Sequence, residues 1–122
     1  MRRLFRPCAT LRLFLAELLP SVDSVIYLDT DLIFLRPLTD LWAKFKKFSE
    51  VNLAAMAPCL NHYGSAANSV PFYGKTGLNA GVMLMNLTRI RVSNWSTKLK
   101  EITQQYHEKI KLADQVTVTV QH

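Results

Sequence analysis

A short apolar run that ends in two acidic residues constrains this chain more than any other feature. Residues 25–28 are uninterrupted apolar sequence, and the run stops abruptly at Asp29-Thr30-Asp31. Continuous apolar runs of this length are typical of strands buried on both faces of a parallel sheet. Carboxylates directly after such a strand would stand at its carboxyl end, the edge along which open α/β sheets bind their ligands.

The two carboxylates suit a hard divalent cation. Mn²⁺ and Mg²⁺ prefer oxygen ligands, and one or two carboxylates together with substrate phosphates complete their coordination in many proteins. Because Asp29 and Asp31 would repel each other, a bound cation would stabilise the pair. From the residues alone, an alternative stays open: a solvated turn in which Asp31 caps a helix.

The length and net charge of the chain limit its domain number and the kinds of partner it can bind. A chain of 122 residues has room for one domain and excludes a two-domain enzyme. Its net charge of +6 favours nucleic acid or anionic phosphate ligands as partners. The basic residues are scattered in runs of at most two, so a nucleic-acid interface is the weaker of these two interpretations.

Helices alternate with apolar strands along the chain, which predicts an α/β fold. We expect a helix at residues 9–19, which ends at Pro20, and a second helix that Thr39 caps and that runs to residue 48. The remaining predicted elements are strands at 53–57 and 81–87, a loop at 59–78, a helix at 93–109 and a strand-like segment at 116–120.

The amino-terminal segment imitates a secretory signal, with two arginines before an apolar stretch. Arg12 and Glu17 interrupt that stretch, so an amphipathic helix packed on the domain is the favoured interpretation. No segment has the roughly 18 uninterrupted apolar residues of a membrane span. Two sequons, at Asn86 and Asn94, permit a secretory compartment.

Cys8 and Cys59 are too few for a disulfide framework and lack the spacing of a zinc site. They could form one bridge or remain two buried thiols.

Two blocks of the sequence resemble glycosyltransferase family 8. Residues 22–38 resemble the Asp-x-Asp region of that family, and residues 77–87 resemble its Asn-Ala/Ser-Gly-Val-x-Leu-x-Asn-Leu segment. The flanking residues 4–9, 12–15 and 53–58 resemble the glucoside xylosyltransferases within the family.

The resemblance implies a GT-A (Rossmann-like) nucleotide-sugar transferase fold, present here as a single partial domain over residues 1–122 that is incomplete at both ends. It implies a retaining transfer of xylose from UDP-xylose onto O-linked glucose of EGF-like repeats in a glycoprotein. Two alternatives stay open: another family 8 transferase that uses a UDP-hexose, and a catalytically inactive fragment or binding module.

The resemblance also implies roles for individual residues. Asp29 and Asp31 would bind Mn²⁺ (or Mg²⁺), which bridges the UDP phosphates, and Asp29 would also touch the ribose. The donor site would be completed by Arg12, Thr30, Asn79, Ala80 and Gly81. The alternatives are a surface arginine for Arg12 and an ordinary turn into a strand for residues 79–81.

Asp114 and Gln115 resemble the start of the family's Asp-Gln-Asp motif, which lies near the reacting sugar carbon, and they are the candidate catalytic residues. The alternative for Asp114 is an ordinary surface carboxylate. Val116 stands at the third position, where valine can neither accept a hydrogen bond nor stabilise positive charge. The family's carboxyl-terminal histidine motif, which supplies a third metal ligand, is absent from this sequence.

The resemblance to glucoside xylosyltransferases implies a protein of the Golgi or endoplasmic reticulum lumen, so we expect the full-length parent to be a type II membrane protein whose anchor this chain does not contain. No nucleic-acid partner is expected. We also expect the isolated 122 residues to fold poorly and to have little activity, since a sheet without its outer elements exposes an apolar edge. A soluble, cooperatively unfolding chain that turns over UDP-xylose would contradict this expectation.

Overall fold

The computed structural model describes residues 11–60, 74 and 76–106. A 3₁₀ turn, Arg12–Phe14, leads into helix α1, Leu15–Leu18, and strand β1 follows at Ser24–Leu28. Helix α2, Leu38–Trp42, continues as a 3₁₀ turn over Ala43–Lys47. The remaining elements are strand β2, Ala54–Pro58, strand β3, Leu78–Asn86, helix α3, Leu87–Val92, and helix α4, Trp95–Tyr106.

The three strands form one sheet in the order β1-β3-β2, and both pairings are antiparallel. The prediction that residues 25–28 are buried on both faces of a parallel sheet is therefore wrong for the described part of the chain. All five residues of β1 are half-buried, and their partner β3 begins about fifty residues later. A short apolar run indicates burial, but it does not encode the direction of a partner that lies so far away.

Strand β3 carries a bulge that decides the shape of the sheet edge near Asp29. Met56 pairs with Met83 and Ala57 pairs with Asn79, so three residues of β3, Ala80 to Val82, have no counterpart on β2. We call these three residues the β3 bulge. Bulges of this kind bend a strand and are common beside active sites.

The core lies between β3 and the helices. Met83 and Met85 share one face of β3, and both are almost completely buried. They belong to one apolar cluster with residues of the 3₁₀ turn and of α1, α3 and α4: Leu13, Ala16, Leu87, Ile90, Trp95 and Leu99.

Two polar side chains tie the amino-terminal segment to α3 and α4. The Trp95 Nε1–H donates to the Leu13 carbonyl at 2.8 Å inside the core. Arg91 donates to the carbonyls of Ala16, Leu19 and Val22 at 3.0–3.2 Å, where α1 ends and the chain turns toward β1. Because helix ends leave carbonyls without intrahelical donors, Arg91 supplies the donors that the short helix α1 lacks.

Three predicted boundaries move. Pro37, not Thr39, precedes α2, and Thr39 lies inside the helix without a capping hydrogen bond. The predicted strand at 81–87 begins earlier, at Leu78. The helix predicted at 93–109 begins at Trp95 and is preceded by helix α3, which the pattern did not predict.

Helix α3 does carry a sequence signal, because the Asn86 side chain caps it by accepting from the Arg89 N–H at 2.9 Å. Residues 9 and 10, Cys8, residues 107–109 of the last predicted helix and the segment at 116–120 lie outside the described residues. Among the residues described, no helix is long and apolar enough to cross a membrane.

The hydrogen bond from Trp95 predicts a specific stability loss. Trp95→Phe keeps an aromatic ring in the core but leaves the buried Leu13 carbonyl without its donor, so we expect the free energy of unfolding to fall by about 1–3 kcal/mol. Urea unfolding of the whole protein measures the loss. The matched control is Trp42→Phe at an exposed position, which should change stability by about 0.5 kcal/mol or less. Equal effects of the two substitutions would contradict the assignment.

Candidate functional site

The candidate site forms where β1 ends beside the β3 bulge. The Asp29 N–H donates to the Gly81 carbonyl at 2.9 Å, which extends the β1–β3 pairing one residue past the strand and fixes the backbone of Asp29 against the bulge. The Asp29 side chain is half-buried, with 36% of its surface exposed. A carboxylate with this exposure is held by the protein and remains open to a ligand.

Gly81 lies against two polar side chains. A Cβ atom at Gly81 would come within 3.0 Å of Asn79 Oδ1 and 3.2 Å of Asp29 Oδ2. The first distance is at the lower limit of real Cβ contacts and the second is closer than most, so a side chain at this position would displace one of its neighbours. The absence of a side chain leaves room beside the Asp29 carboxylate.

Asn79 compensates for the broken strand pairing. Its Oδ1 accepts from the Gly81 N–H at 2.8 Å, so this amide of the β3 bulge has a side-chain acceptor. The interpretation of residues 79–81 as an ordinary turn is wrong in its geometry, because all three lie within the nine-residue strand β3.

Arg12 reaches the same bulge from the opposite end of the described sequence. Its Nη1 donates to the Ala80 carbonyl at 2.7 Å and lies 3.7 Å from Asp29 Oδ1. Only 8% of the residue is exposed, so the alternative of a surface helix arginine is wrong. A buried guanidinium requires acceptors and a negative charge nearby, and the carbonyl and the carboxylate supply both.

Tyr27 completes the surroundings of Arg12. The guanidinium carbon lies 4.4 Å from the centre of the Tyr27 ring, within the range of a cation–π contact. Nothing in the linear sequence singled out Tyr27, which looks like one more apolar strand residue. The cue available was its position two residues before Asp29, on the same strand.

Thr30 and Asp31 form an exposed turn immediately after Asp29. Within the described ranges, no hydrogen bond or ion pair joins either side chain to the cluster around the bulge. The structure therefore brings together Arg12, Asp29, Asn79, Ala80 and Gly81, and it places Thr30 and Asp31 next to them in sequence at the solvent-facing edge. Asp114 and Gln115 lie outside the described residues.

The described residues contain no group of three or more histidine, cysteine, aspartate and glutamate side chains that could hold a metal ion. The carboxylates that this part of the protein would offer a cation are those of Asp29 and Asp31, so a complete coordination shell needs further oxygen ligands. That composition fits a hard cation shared with a phosphate ligand better than a closed structural site.

Comparison with known proteins identifies the family. Residues 3–120 match the model of "Glycosyl transferase family 8", and the chain belongs to that family. It is 45% identical over 130 aligned residues to glucoside xylosyltransferase 2 of Xenopus laevis, and 52% identical over 95 residues to glucoside xylosyltransferase 1 of Homo sapiens. These alignments include 93% and 74% of this chain, but only 30% and 21% of the respective relatives.

Solved structures confirm the predicted α/β fold of the GT-A type. The apo form of mouse xyloside xylosyltransferase 1 superposes with a TM-score of 0.70 at 24% identity, over 92% of this chain and 46% of that one. The galactosyltransferase LgtC, solved in complex with donor and acceptor sugar analogs, superposes with a TM-score of 0.69 at 27% identity, over 88% and 39% of the two chains.

The contacts of Arg12 predict a stability loss that charge alone would not produce. Arg12→Met removes the donor to the Ala80 carbonyl and leaves Asp29 without its neighbouring cation. We expect the free energy of unfolding of the whole protein to fall by about 1–3 kcal/mol, measured by urea denaturation.

Arg36→Met is the matched control. Arg36 is an exposed arginine paired with Asp40 at 3.1 Å, and exposed pairs of this kind contribute about 0.5 kcal/mol. An Arg12→Met protein as stable as the Arg36→Met protein would contradict the described burial of Arg12.

Proposed function

We propose that the protein containing this chain is a retaining glycosyltransferase that transfers xylose from UDP-xylose onto O-linked glucose of EGF-like repeats. The observation that carries this proposal is the convergence of Arg12, Asp29, Asn79 and Gly81 at one bulge in a chain 38–52% identical to glucoside xylosyltransferases. The working compartment is the secretory lumen, and a type II anchor belongs to the full-length protein.

The residues at the bulge fit a divalent cation beside a diphosphate. Asp29 and Asp31 are hard oxygen donors, and the space at Gly81 lets a ligand approach the Asp29 carboxylate closely. Mn²⁺, or Mg²⁺ in its place, would be held by these two residues. When bound, the cation neutralises the charge that develops on the leaving diphosphate.

The protein side chains orient and balance this site. Arg12 holds the Ala80 carbonyl and lies beside Asp29, so it keeps the carboxylate and the bulge in a fixed relation. Its positive charge also favours an anionic donor in the same region. Asn79, Ala80 and Gly81 line the position of the donor sugar, while Thr30 borders it on the exposed turn.

In the proposed reaction, the bond between the anomeric carbon and the diphosphate oxygen breaks, the acceptor hydroxyl oxygen forms the new bond with retention of configuration, and the hydroxyl proton passes to the leaving diphosphate. Asp114 and Gln115 lie near the reacting carbon in this assignment. Val116, which follows them, offers no polar group to the reacting sugar.

The direct test combines the whole protein with UDP-xylose, Mn²⁺ and an EGF-like repeat that carries O-linked glucose. We expect the acceptor to gain the mass of one pentosyl residue (a pentose less one water), with more product from UDP-xylose than from UDP-glucose or UDP-galactose. Product from a UDP-hexose instead would support the alternative family 8 transferase. Binding of UDP without any transfer would support an inactive binding module, and the absence of both would overturn the proposal.

Replacement of the two acids is the sharpest test of the metal assignment. The double variant Asp29→Asn with Asp31→Asn should reduce turnover by at least about a hundredfold, because neutral amides bind a hard cation poorly. Calorimetry should also show that the UDP affinity no longer depends on Mn²⁺. Asp40→Asn, at an exposed carboxylate that pairs only with Arg36 among the described residues, is the control and should keep full turnover. Full turnover in the double variant would contradict the assignment.

Gly81→Ala tests whether the space at the bulge is functional. The new methyl group would displace Asp29 or Asn79, and we expect the UDP affinity in the presence of Mn²⁺ to fall by about tenfold, measured by calorimetry. Gly74→Asp is the control, since no described residue lies within 4 Å of the position of a Cβ atom at Gly74, and aspartate tolerates its positive φ of 66°. An unchanged affinity in Gly81→Ala would show that the donor does not depend on this space.

A further inference from the structure

Tyr27 lies directly against the cation that holds the bulge. Its ring centre is 4.4 Å from the guanidinium carbon of Arg12, and it sits on β1 opposite Met83, two residues before Asp29. None of the roles assigned above includes this side chain. The ring nevertheless contacts Arg12, the residue that binds the Ala80 carbonyl and lies beside Asp29.

The geometry of a guanidinium explains why a ring at this position matters. The group is planar, and its N–H bonds point outward in that plane, so an aromatic ring over its face does not compete for its donors. In this arrangement the Tyr27 ring occupies the vicinity of the cation while Nη1 remains directed to the Ala80 carbonyl at 2.7 Å and toward Asp29 at 3.7 Å.

The burial of Arg12 makes the contact strong. Cation–π attraction increases when the cation is removed from water, and only 8% of Arg12 is exposed. Without the ring, the long arginine side chain could rotate within the space that the ring leaves. The carbonyl of the β3 bulge and the Asp29 carboxylate would then lose a fixed partner.

We infer that Tyr27 is a positioning residue of the donor site, which acts by holding the Arg12 guanidinium in register with Ala80 and Asp29. This role rests on the proposed function, since it concerns the same UDP site. Strand β1 would then contribute to donor binding in two ways, because it positions Asp29 and Asp31 at the sheet edge and it carries Tyr27.

A purely structural role for Tyr27 makes a different prediction. If the ring only filled space, its loss would weaken the protein in the same way whether or not Arg12 were present. If it acts through Arg12, the effects of the two substitutions depend on each other, which a double-mutant cycle measures.

The experiment uses the whole protein and four forms of it: wild type, Tyr27→Leu, Arg12→Met and the double variant. The probe is UDP with MnCl₂, measured by calorimetry. We expect Tyr27→Leu to weaken UDP binding by about tenfold in the wild-type background and by less than about twofold in the Arg12→Met background. Tyr27→Phe, which keeps the ring, should bind UDP more tightly than Tyr27→Leu.

Phe45→Leu is the matched control for removal of an aromatic ring. Phe45 packs against Trp42 and Phe48 with ring centres 5.0 Å apart, in an aromatic group separate from Arg12. Its replacement should leave UDP binding unchanged.

A second readout does not depend on any ligand. Hydrogen exchange of the Asp29 amide, which donates to the Gly81 carbonyl, reports how firmly the bulge is held. We expect Tyr27→Leu to speed this exchange by about tenfold when Arg12 is present and to have little effect when it is absent.

The outcomes separate two failures. A wild-type protein that does not bind UDP contradicts the proposed function, whatever the exchange cycle shows. Additive effects of Tyr27→Leu and Arg12→Met in both readouts contradict the role of Tyr27, as does a Tyr27→Phe protein that binds as weakly as Tyr27→Leu.

Discussion

The hydrogen bond from Arg12 to the Ala80 carbonyl is the contact around which the site is organised. A bulge in the middle strand of a sheet removes backbone groups from their normal partners, and buried backbone groups without partners are destabilising. A buried arginine is likewise unfavourable without acceptors. The two groups satisfy each other, because the bulge presents the Ala80 carbonyl as an acceptor and Arg12 presents a donor.

The same bulge explains why Asn79 and Gly81 belong together. The Gly81 N–H donates to the Asn79 side chain, and the Gly81 carbonyl accepts from the Asp29 N–H. A larger residue than glycine would occupy the space between these groups. The Asn-Ala-Gly sequence is therefore explained by local hydrogen bonding and space as well as by any ligand.

Much of the site could be predicted from the sequence, because its signals are local. The apolar run before Asp29, the acidic pair and the Asn-Ala-Gly block are each contained within a few residues, and five of the residues named for the donor site do converge in space. The direction of strand pairing could not be predicted, because it depends on a partner that begins at Leu78. The bulge was equally inaccessible, since it arises from a change of register between two strands.

Other errors have local causes. A threonine followed by an acidic residue is a common start of a helix, but here Pro37 is the N-cap residue of α2, so Thr39 lies inside the helix. The capping Asn86 was visible as part of a sequon, yet the six-residue helix that follows it is too short to show a periodic pattern. The contact of Tyr27 could not be predicted from the sequence, because it depends on Arg12, which only the fold brings beside the ring.

The contacts of Arg91 connect residues far from the bulge to the position of Arg12. Strand β3 leads into α3, the Arg91 side chain of α3 grips the carbonyls around the end of α1, and the turn before α1 returns Arg12 to β3. These contacts form a ring that begins and ends at β3. A substitution that weakens one of these contacts, even on the far side of the core, therefore also weakens the position of Arg12 at the Ala80 carbonyl.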